Sequence, residues 1–322
     1  MLEAMIVGCG KIAGGQNQAL TTHGGAYQAQ KNVEVVACVD NDLDKSNAFA
    51  VLNHCEAERE LQVALSKYQP DIVSICTPDS THFQITENIL TASNCPKIIF
   101  LEKPACQSAT QLDRLIKLSD QKNVPIVVNH SRRFDQHHQQ LRERISTGEF
   151  GDLISTNVTY YSGWQHNGVH MIDTLSYLLN DSIVVESVTE GWQNPHENDP
   201  TFDVQAVFKN KKSKINIMSF GEENYQIFEI DLRFSEARLR LEDFGERILL
   251  EKKYINCIGE KILQIADNGL TKKIITPMQK AVEVICQSIQ TDNTSLLDGY
   301  LLQDISRTMQ TIWQGQKMYE KN

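Results

Sequence analysis

Glu102-Lys103-Pro104 directly follows the apolar run Lys97-Ile98-Ile99-Phe100-Leu101. A buried strand there delivers a lysine at its carboxyl end, the edge at which open α/β sheets bind ligands. Such a cation can handle a proton and stabilise an oxyanion. Upstream, Gly8-Cys9-Gly10-Lys11-Ile12-Ala13 follows the first apolar run and matches G-x-G-x-x-A, in which glycines permit a tight turn and close backbone approach to a pyrophosphate. Downstream, His166, His170 and Asp173 stand at i, i+4 and i+7, so on a helix they share one face. The three elements are expected to line one cleft suited to a dinucleotide and a proton transfer.

Residues around these motifs sharpen the expectation. The second β-rich run ends at Asp40, where an acid can accept hydrogen bonds from an adenosine ribose and repel a 2′-phosphate, so NAD is favoured over NADP. The polar, glycine-rich stretch 14–23 reads as a loop inserted before the first helix. Thr77-Pro78-Asp79-Ser80-Thr81-His82 lies at the same sheet edge; Asp79 or Ser80 can cap the next helix, and His82 either approaches the cofactor or braces the helix start. Glu102 orients the loop or the lysine. After the strand at 125–128, Arg132 or Arg133 can clamp a carboxylate or phosphate bidentately, against the alternative of a solvated arginine pair. Trp164 with Tyr160 and Tyr161 can stack on a sugar ring or fill a sheet face, and Asn167 sits beside the histidines. A zinc site is disfavoured, because H-E-x-x-H needs glutamate at 167, where Asn167 stands. The lysines at 209, 211, 212 and 214 read as a polar hairpin tip.

At 322 residues the chain is about twice a domain of ~150 residues, so two domains are expected. Forty-one acidic against thirty-one basic residues leave a net charge of −10, which opposes attraction to nucleic acid and to anionic membrane. No run approaches the ~20 apolar residues that span a bilayer, and the amino terminus shows no leader. A soluble, cytoplasmic protein with a small-molecule partner is expected. Eight scattered cysteines without a C-x-x-C pair read as reduced core thiols.

The first 125 residues alternate apolar runs (5–7, 33–39, 72–76, 98–101, 125–128) with helical stretches (43–52, 57–67, 83–92, 109–122), the pattern of a doubly wound parallel sheet. Ser108 and Gln111 signal a capping box for the last of these helices. After a helix at 136–145 come strands at 153–161, 183–191, 202–208, 214–220, 227–234, 237–241 and 247–250, a meander suited to an antiparallel sheet with one covered face. A helix at 166–179 interrupts it, and two helices close the chain, the last with Leu302, Ile305, Met309 and Ile312 on one stripe. The expected division is 1–127 and 128–322, with the last helix able to return to the first domain.

In this order, Gly8-x-Gly10, Asp40, Thr77-Pro78 with His82, Glu102-Lys103-Pro104 and Gly168-x-His170-x-x-Asp173 resemble the glucose-fructose oxidoreductase, inositol dehydrogenase and rhizopine-catabolism (Gfo/Idh/MocA) family over nearly the whole chain. The resemblance implies an amino-terminal Rossmann domain and a carboxyl-terminal α+β domain whose large, mainly antiparallel open sheet mediates homodimers or homotetramers. It implies hydride transfer between NAD(H) and a secondary alcohol or ketone of a sugar, cyclitol or nucleotide sugar. It assigns His170 as acid/base and Lys103 as its polarising partner, with exchange of the two roles left open. The stretch 160–170 looks most like members associated with bacterial surface-saccharide synthesis. One departure stands out: where many relatives carry aspartate four residues before the histidine, this chain has His166. Either His166 serves in substrate binding or proton relay depends on Asp173 and solvent. The departure also admits a catalytically silent, ligand-sensing protein of the same fold; reduction of a nonsugar carbonyl or imine is a third reading.

Overall fold

The computed structural model describes residues 1–192 and 199–321. In chain order its elements are β1 (Leu2–Val7), α1 (His23–Gln28), β2 (Val33–Val39), α2 (Leu43–Asn53), β3 (Glu56–Glu58), α3 (Leu61–Tyr68), β4 (Ile72–Ile75), α4 (His82–Thr91), β5 (Ile98–Leu101), α5 (Ala109–Lys122), β6 (Ile126–Val128), α6 (Ser131–Phe134) and α7 (Gln136–Ser146). There follow β7 (Leu153–Tyr161), α8 (Val169–Leu179), β8 (Ile183–Glu190), β9 (Phe202–Phe208), β10 (Lys214–Phe220), β11 (Phe228–Phe234), β12 (Ala237–Glu242), β13 (Arg247–Ile255), β14 (Lys261–Ala266), α9 (Pro277–Thr291) and α10 (Ser306–Tyr319). They form two compact units: Met1–Gln136 with Lys273–Ser306, and His137–Lys272 with the chain from Arg307 onward.

The first unit is a six-stranded sheet of order β3-β2-β1-β4-β5-β6, parallel at every pairing. This is the doubly wound order whose switch point lies between β1 and β4. Every residue of β4, β5 and β6 is buried, as a sheet covered on both faces requires. Met278, Ala281, Val282 and Ile285 of α9 join the core with Ile6, Tyr27 and Phe100. Residues 300–302 run against β6, with Val128 N–H donating to Tyr300 O at 3.0 Å and Leu302 N–H to Ile126 O at 2.9 Å, which covers an otherwise open edge. The expected helix at 57–67 is corrected: β3 pairs in parallel with β2 before α3 begins. Its Glu-Ala-Glu residues suit a helix, but backbone pairing at the sheet edge decides, and Glu58 then binds Lys67 and Tyr68. At α5, Ser108 caps Gln111 N–H, while the Gln111 side chain accepts from Gln107 rather than completing the box.

The second unit is an eight-stranded sheet of order β14-β13-β12-β11-β7-β10-β9-β8. It is antiparallel except that β7 and β10 pair in parallel, Lys214–Phe220 beside Ser155–Tyr161, so the expected meander is interrupted at its centre. Alternation along β7 buries Thr156, Val158 and Tyr160 on one face. The hairpin of β13 and β14 extends past the expected 247–250, and its turn exposes Cys257, which departs from the reading of all cysteines as core thiols. No helix among the described residues is long and apolar enough to cross a membrane.

Candidate active site

The turn after β1 has the properties a pyrophosphate needs. Gly8 adopts φ +88°, and a Cβ there would lie 2.7 Å from Thr77 N and 2.8 Å from Cys76 C, so only glycine lets β1 end this close to the strand beside it. At Gly10 a Cβ would meet nothing within 4 Å. The backbone N–H groups of Gly10, Lys11 and Ile12, all exposed, have no acceptor among the described residues. Together they form a donor-lined, open surface that fits the phosphates of a dinucleotide. Cys9 is buried and its N–H donates to Asp40 Oδ2 at 2.8 Å, while Asp42 N–H donates to Asp40 Oδ1 at 2.9 Å. The acid at the end of β2 is thereby fixed beside the glycine turn. The inserted loop is present and, as expected, precedes the first helix, α1. After the turn at Lys11–Gly14 the chain leaves, and it returns where His23 N–H donates to Ile12 O at 3.1 Å and Gly24 N–H to Ala13 O at 2.8 Å. Replacing Gly8 with alanine forces either the glycine turn or the Cys76-Thr77 backbone to move. A left-handed φ adds about 1–2 kcal/mol. The expected outcome is a lowered melting temperature and at least tenfold weaker NADH binding, read by scanning calorimetry and by nicotinamide fluorescence.

At the same sheet edge, β5 ends in Glu102-Lys103-Pro104, with the Lys103–Pro104 bond cis. Glu102 is 8% exposed. Its Oε1 accepts from Asn129 Nδ2 at 2.6 Å and from His23 Nε2 at 2.9 Å, and the His23 ring packs on Phe100 with centroids 4.7 Å apart. Burial works to raise the Glu102 carboxyl, but the His23 hydrogen bond and charge, then Asn129 and the Lys103 ammonium, outweigh it and hold the group below its usual range. Burial, and secondarily the Glu102 charge, push the Cys76 thiol well above its ordinary value, so it stays neutral there. His82 is fully buried, with Nδ1 2.7 Å from Pro104 O and Nε2 2.8 Å from Thr77 O. Of its two expected roles the bracing one is seen: both ring nitrogens are spent joining the Thr77-Pro78 loop to the Lys103-Pro104 segment, and not on an approach to the cofactor. Arg133 is buried and donates to Gly299 O at 2.6 Å, which removes it as a substrate clamp and leaves Arg132, half-buried, as the candidate. His23 and Asn129 were not foreseen as site residues. The signal for His23 was a histidine closing a glycine-rich insertion.

In the second unit the helix expected at 166–179 divides. Trp164–Gly168 forms a wide π-type turn and α8 begins at Val169, so His166 lies off the regular spacing. His166 is exposed, His170 half-buried and Asp173 buried. His170 packs against Phe228, ring centroids 6.3 Å apart, and Asp173 Oδ1 accepts from Thr308 at 2.9 Å. Residues 199–201 clamp the turn. Asp199 accepts from Gln165 N–H and His166 N–H at 2.8 and 2.9 Å, Pro200 O from Trp164 N–H at 3.1 Å, and Thr201 Oγ1 from Gly163 N–H at 3.1 Å. Asn167 Nδ2 donates to Ser162 O at 2.6 Å. Trp164 is corrected from substrate contact to core: it is fully buried, donates to Ile312 O at 2.9 Å, and lies where a Cβ at Gly168 or Gly315 would meet it at 2.7 or 3.0 Å. Tyr160 is likewise enclosed, and burial, opposed by its bond to Phe202 O, pushes its phenol up.

Comparison with known proteins agrees with this fold. Residues 2–130 match the model of an oxidoreductase family with an NAD-binding Rossmann fold, GFO_IDH_MocA. D-glucoside 3-dehydrogenase of Escherichia coli is 24% identical over 198 residues, 55% of this chain and 54% of that protein. Inositol 2-dehydrogenase of Rhizobium meliloti is 27% identical over 154 residues, 48% and 43% of the two chains. The matched region thus spans about half the length of these curated relatives. Among solved structures, UDP-N-acetylglucosamine 3-dehydrogenase from Acidithiobacillus ferrooxidans aligns with TM-score 0.76 at 15% identity, covering 98% of this chain and 97% of that one. A 3-ketoreductase from Actinomadura kijaniata, solved in complex with NADP and TDP-benzene, aligns with TM-score 0.77 at 14% identity, covering 98% and 97% of the two chains. These likenesses extend the shared fold over both units. Over residues 2–130 the chain is similar to the Gfo/Idh/MocA oxidoreductase family, whose model describes an NAD-binding Rossmann fold.

Proposed function

We propose that the chain is an NAD(H)-dependent oxidoreductase acting between a secondary alcohol and the corresponding ketone of a sugar, cyclitol or nucleotide sugar. The observation that carries the reading lies within the first unit: an open, donor-lined glycine turn with Asp40 fixed beside it shares its sheet edge with Lys103, whose neighbour Glu102 is held as a buried carboxylate. When bound, the nicotinamide supplies the hydride donor or acceptor. The turn at Gly8–Ala13 holds the pyrophosphate through N–H groups, and Asp40 takes the adenosine ribose. Lys103 polarises the substrate oxygen as an ammonium, favoured in that form by the neighbouring carboxylate. His170 receives or returns the hydroxyl proton, with Asp173 one turn along as its orienting residue. Arg132, His166 and Asn167 are the remaining polar candidates for substrate recognition. Following nicotinamide absorbance across a panel of hexoses, inositols and nucleotide hexoses tests this: turnover dependent on both Lys103 and His170 supports it.

Asp40 decides the choice of dinucleotide in this reading. Exchange of Asp40 for serine removes the charge that opposes a 2′-phosphate, and a tenfold change in ratio needs only about 1.4 kcal/mol. The ratio of NADPH to NADH dissociation constants is expected to fall at least tenfold, by fluorescence titration of both. An unchanged ratio contradicts the assignment. A second reading, a catalytically silent sensor, draws support from His166 standing where many relatives have a carboxylate; the fold is also that of a super-repressor mutant of Gal80p from Saccharomyces cerevisiae, at TM-score 0.75 and 17% identity. Tight NADH binding with no turnover on any panel member favours it.

A further inference from the structure

We propose that His23 is a positioning residue that holds Glu102 as an anion next to Lys103, coupling the glycine turn to the segment that carries the lysine. The meaning given to Lys103 rests on the functional reading above, but the geometry stands within the first unit alone.

His23 opens α1 at the end of the inserted loop. Its backbone N–H is spent on Ile12 O of the glycine turn at 3.1 Å, and its side chain reaches across to Glu102 Oε1 at 2.9 Å. One residue therefore touches both the phosphate-facing turn and the segment that carries the lysine. The contact is fully enclosed, since His23 shows no exposed surface. A carboxylate accepts and cannot donate, so the Nε2 of His23 carries the proton in this bond. Its Nδ1 has no hydrogen-bond partner, and neither has Asn129 Oδ1. Both side chains donate to the same carboxylate oxygen, Asn129 Nδ2 also meeting Met278 Sδ at 3.9 Å, and the buried polar atoms left over are a cost the fold accepts there. Without those two donors, desolvation would drive Glu102 toward its neutral acid. The titratable groups facing Glu102 are His23, Cys76 and Lys103. The Cys76 thiol stays neutral, so once His23 is replaced the charged neighbour left to feel a change at Glu102 is Lys103.

Lys103 can be observed directly in the full-length protein without substrate. Reductive methylation with 13C-formaldehyde keeps the ammonium charge and gives each lysine an NMR signal whose shift titrates; Lys103→Ala identifies the one at issue. The Lys103 signal also reports protonation of its neighbour, and in His23→Leu the inflection due to Glu102 is expected to move to higher pH by roughly one unit, as loss of one donor implies. His23→Gln, which keeps an amide N–H, is expected to return that inflection toward its position in the unaltered protein. A Glu102 inflection unmoved in folded His23→Leu overturns the proposal. If that variant does not fold by circular dichroism, Glu102→Gln decides: a lowered midpoint for the Lys103 ammonium itself supports the link and an unchanged one overturns it. Because no turnover enters the measurement, its failure leaves the dehydrogenase reading standing. Conversely, a normal Lys103 response with no activity on any sugar counts against that reading alone.

Discussion

Exchange of Lys103 for alanine is expected to lower turnover by about 10²–10⁴, the range a positioned proton-handling group supplies, while NADH binding changes only a few-fold. The asymmetry follows from where the contacts lie. The N–H groups proposed for pyrophosphate belong to Gly10, Lys11 and Ile12, and Asp40 is held by Cys9 and Asp42; none of these depends on the lysine side chain. The Glu102 carboxylate also keeps His23 and Asn129. What is lost is the ammonium that stabilises developing negative charge on the substrate oxygen. Steady-state turnover and NADH fluorescence titration on one preparation check both halves. Equal loss of binding and rate would recast Lys103 as a structural or cofactor-holding group.

His170→Ala is expected to have a comparable effect, again about 10²–10⁴ on turnover, with a second signature that a packing residue lacks. The ring is half-buried and rests against Phe228, so the variant leaves a gap that exogenous imidazole can enter. Partial recovery of turnover with added imidazole, absent in Lys103→Ala, marks His170 as the group that moves the proton. Retained activity without rescue assigns His170 to packing instead. Its helix is held independently of the ring: residues 199–201 clamp the preceding turn through backbone and carboxylate contacts, and Thr308 binds Asp173.

The first unit was readable largely because its signals are local. Buried runs such as Ile98–Leu101 and a glycine turn after β1 define strand ends, and strand ends define the ligand edge. The failures come from interactions between residues far apart in sequence. His23 meets Glu102 across 79 positions, and no periodicity carries that pairing. Trp164 read as a sugar-stacking aromatic because its chemistry suits either role. The decisive evidence was Gly315, a glycine inside the amphipathic last helix whose missing side chain makes room for the indole. Glu56–Glu58 has helix-favouring residues but takes its conformation from parallel pairing with β2. The parallel pairing of β7 with β10 was hidden for a related reason: alternation says which face a residue takes and not which strand lies beside it. At Trp164–Gly168 the spacing of the two histidines suggested a regular helix, whereas the clamp by 199–201 fixes a wider turn.

The most direct test of the functional claim is isotope transfer. The protein is incubated with NADH stereospecifically deuterated at C4, each deuterated face in turn, and a panel of ketohexoses, inosose and nucleotide-linked ketosugars, and the products are weighed by mass spectrometry. One deuterium is expected on the former carbonyl carbon of at least one sugar-like product, from one face only, and formed at least about a hundredfold more slowly by Lys103→Ala. Bound NADH that passes no deuterium to any panel member would contradict the assignment.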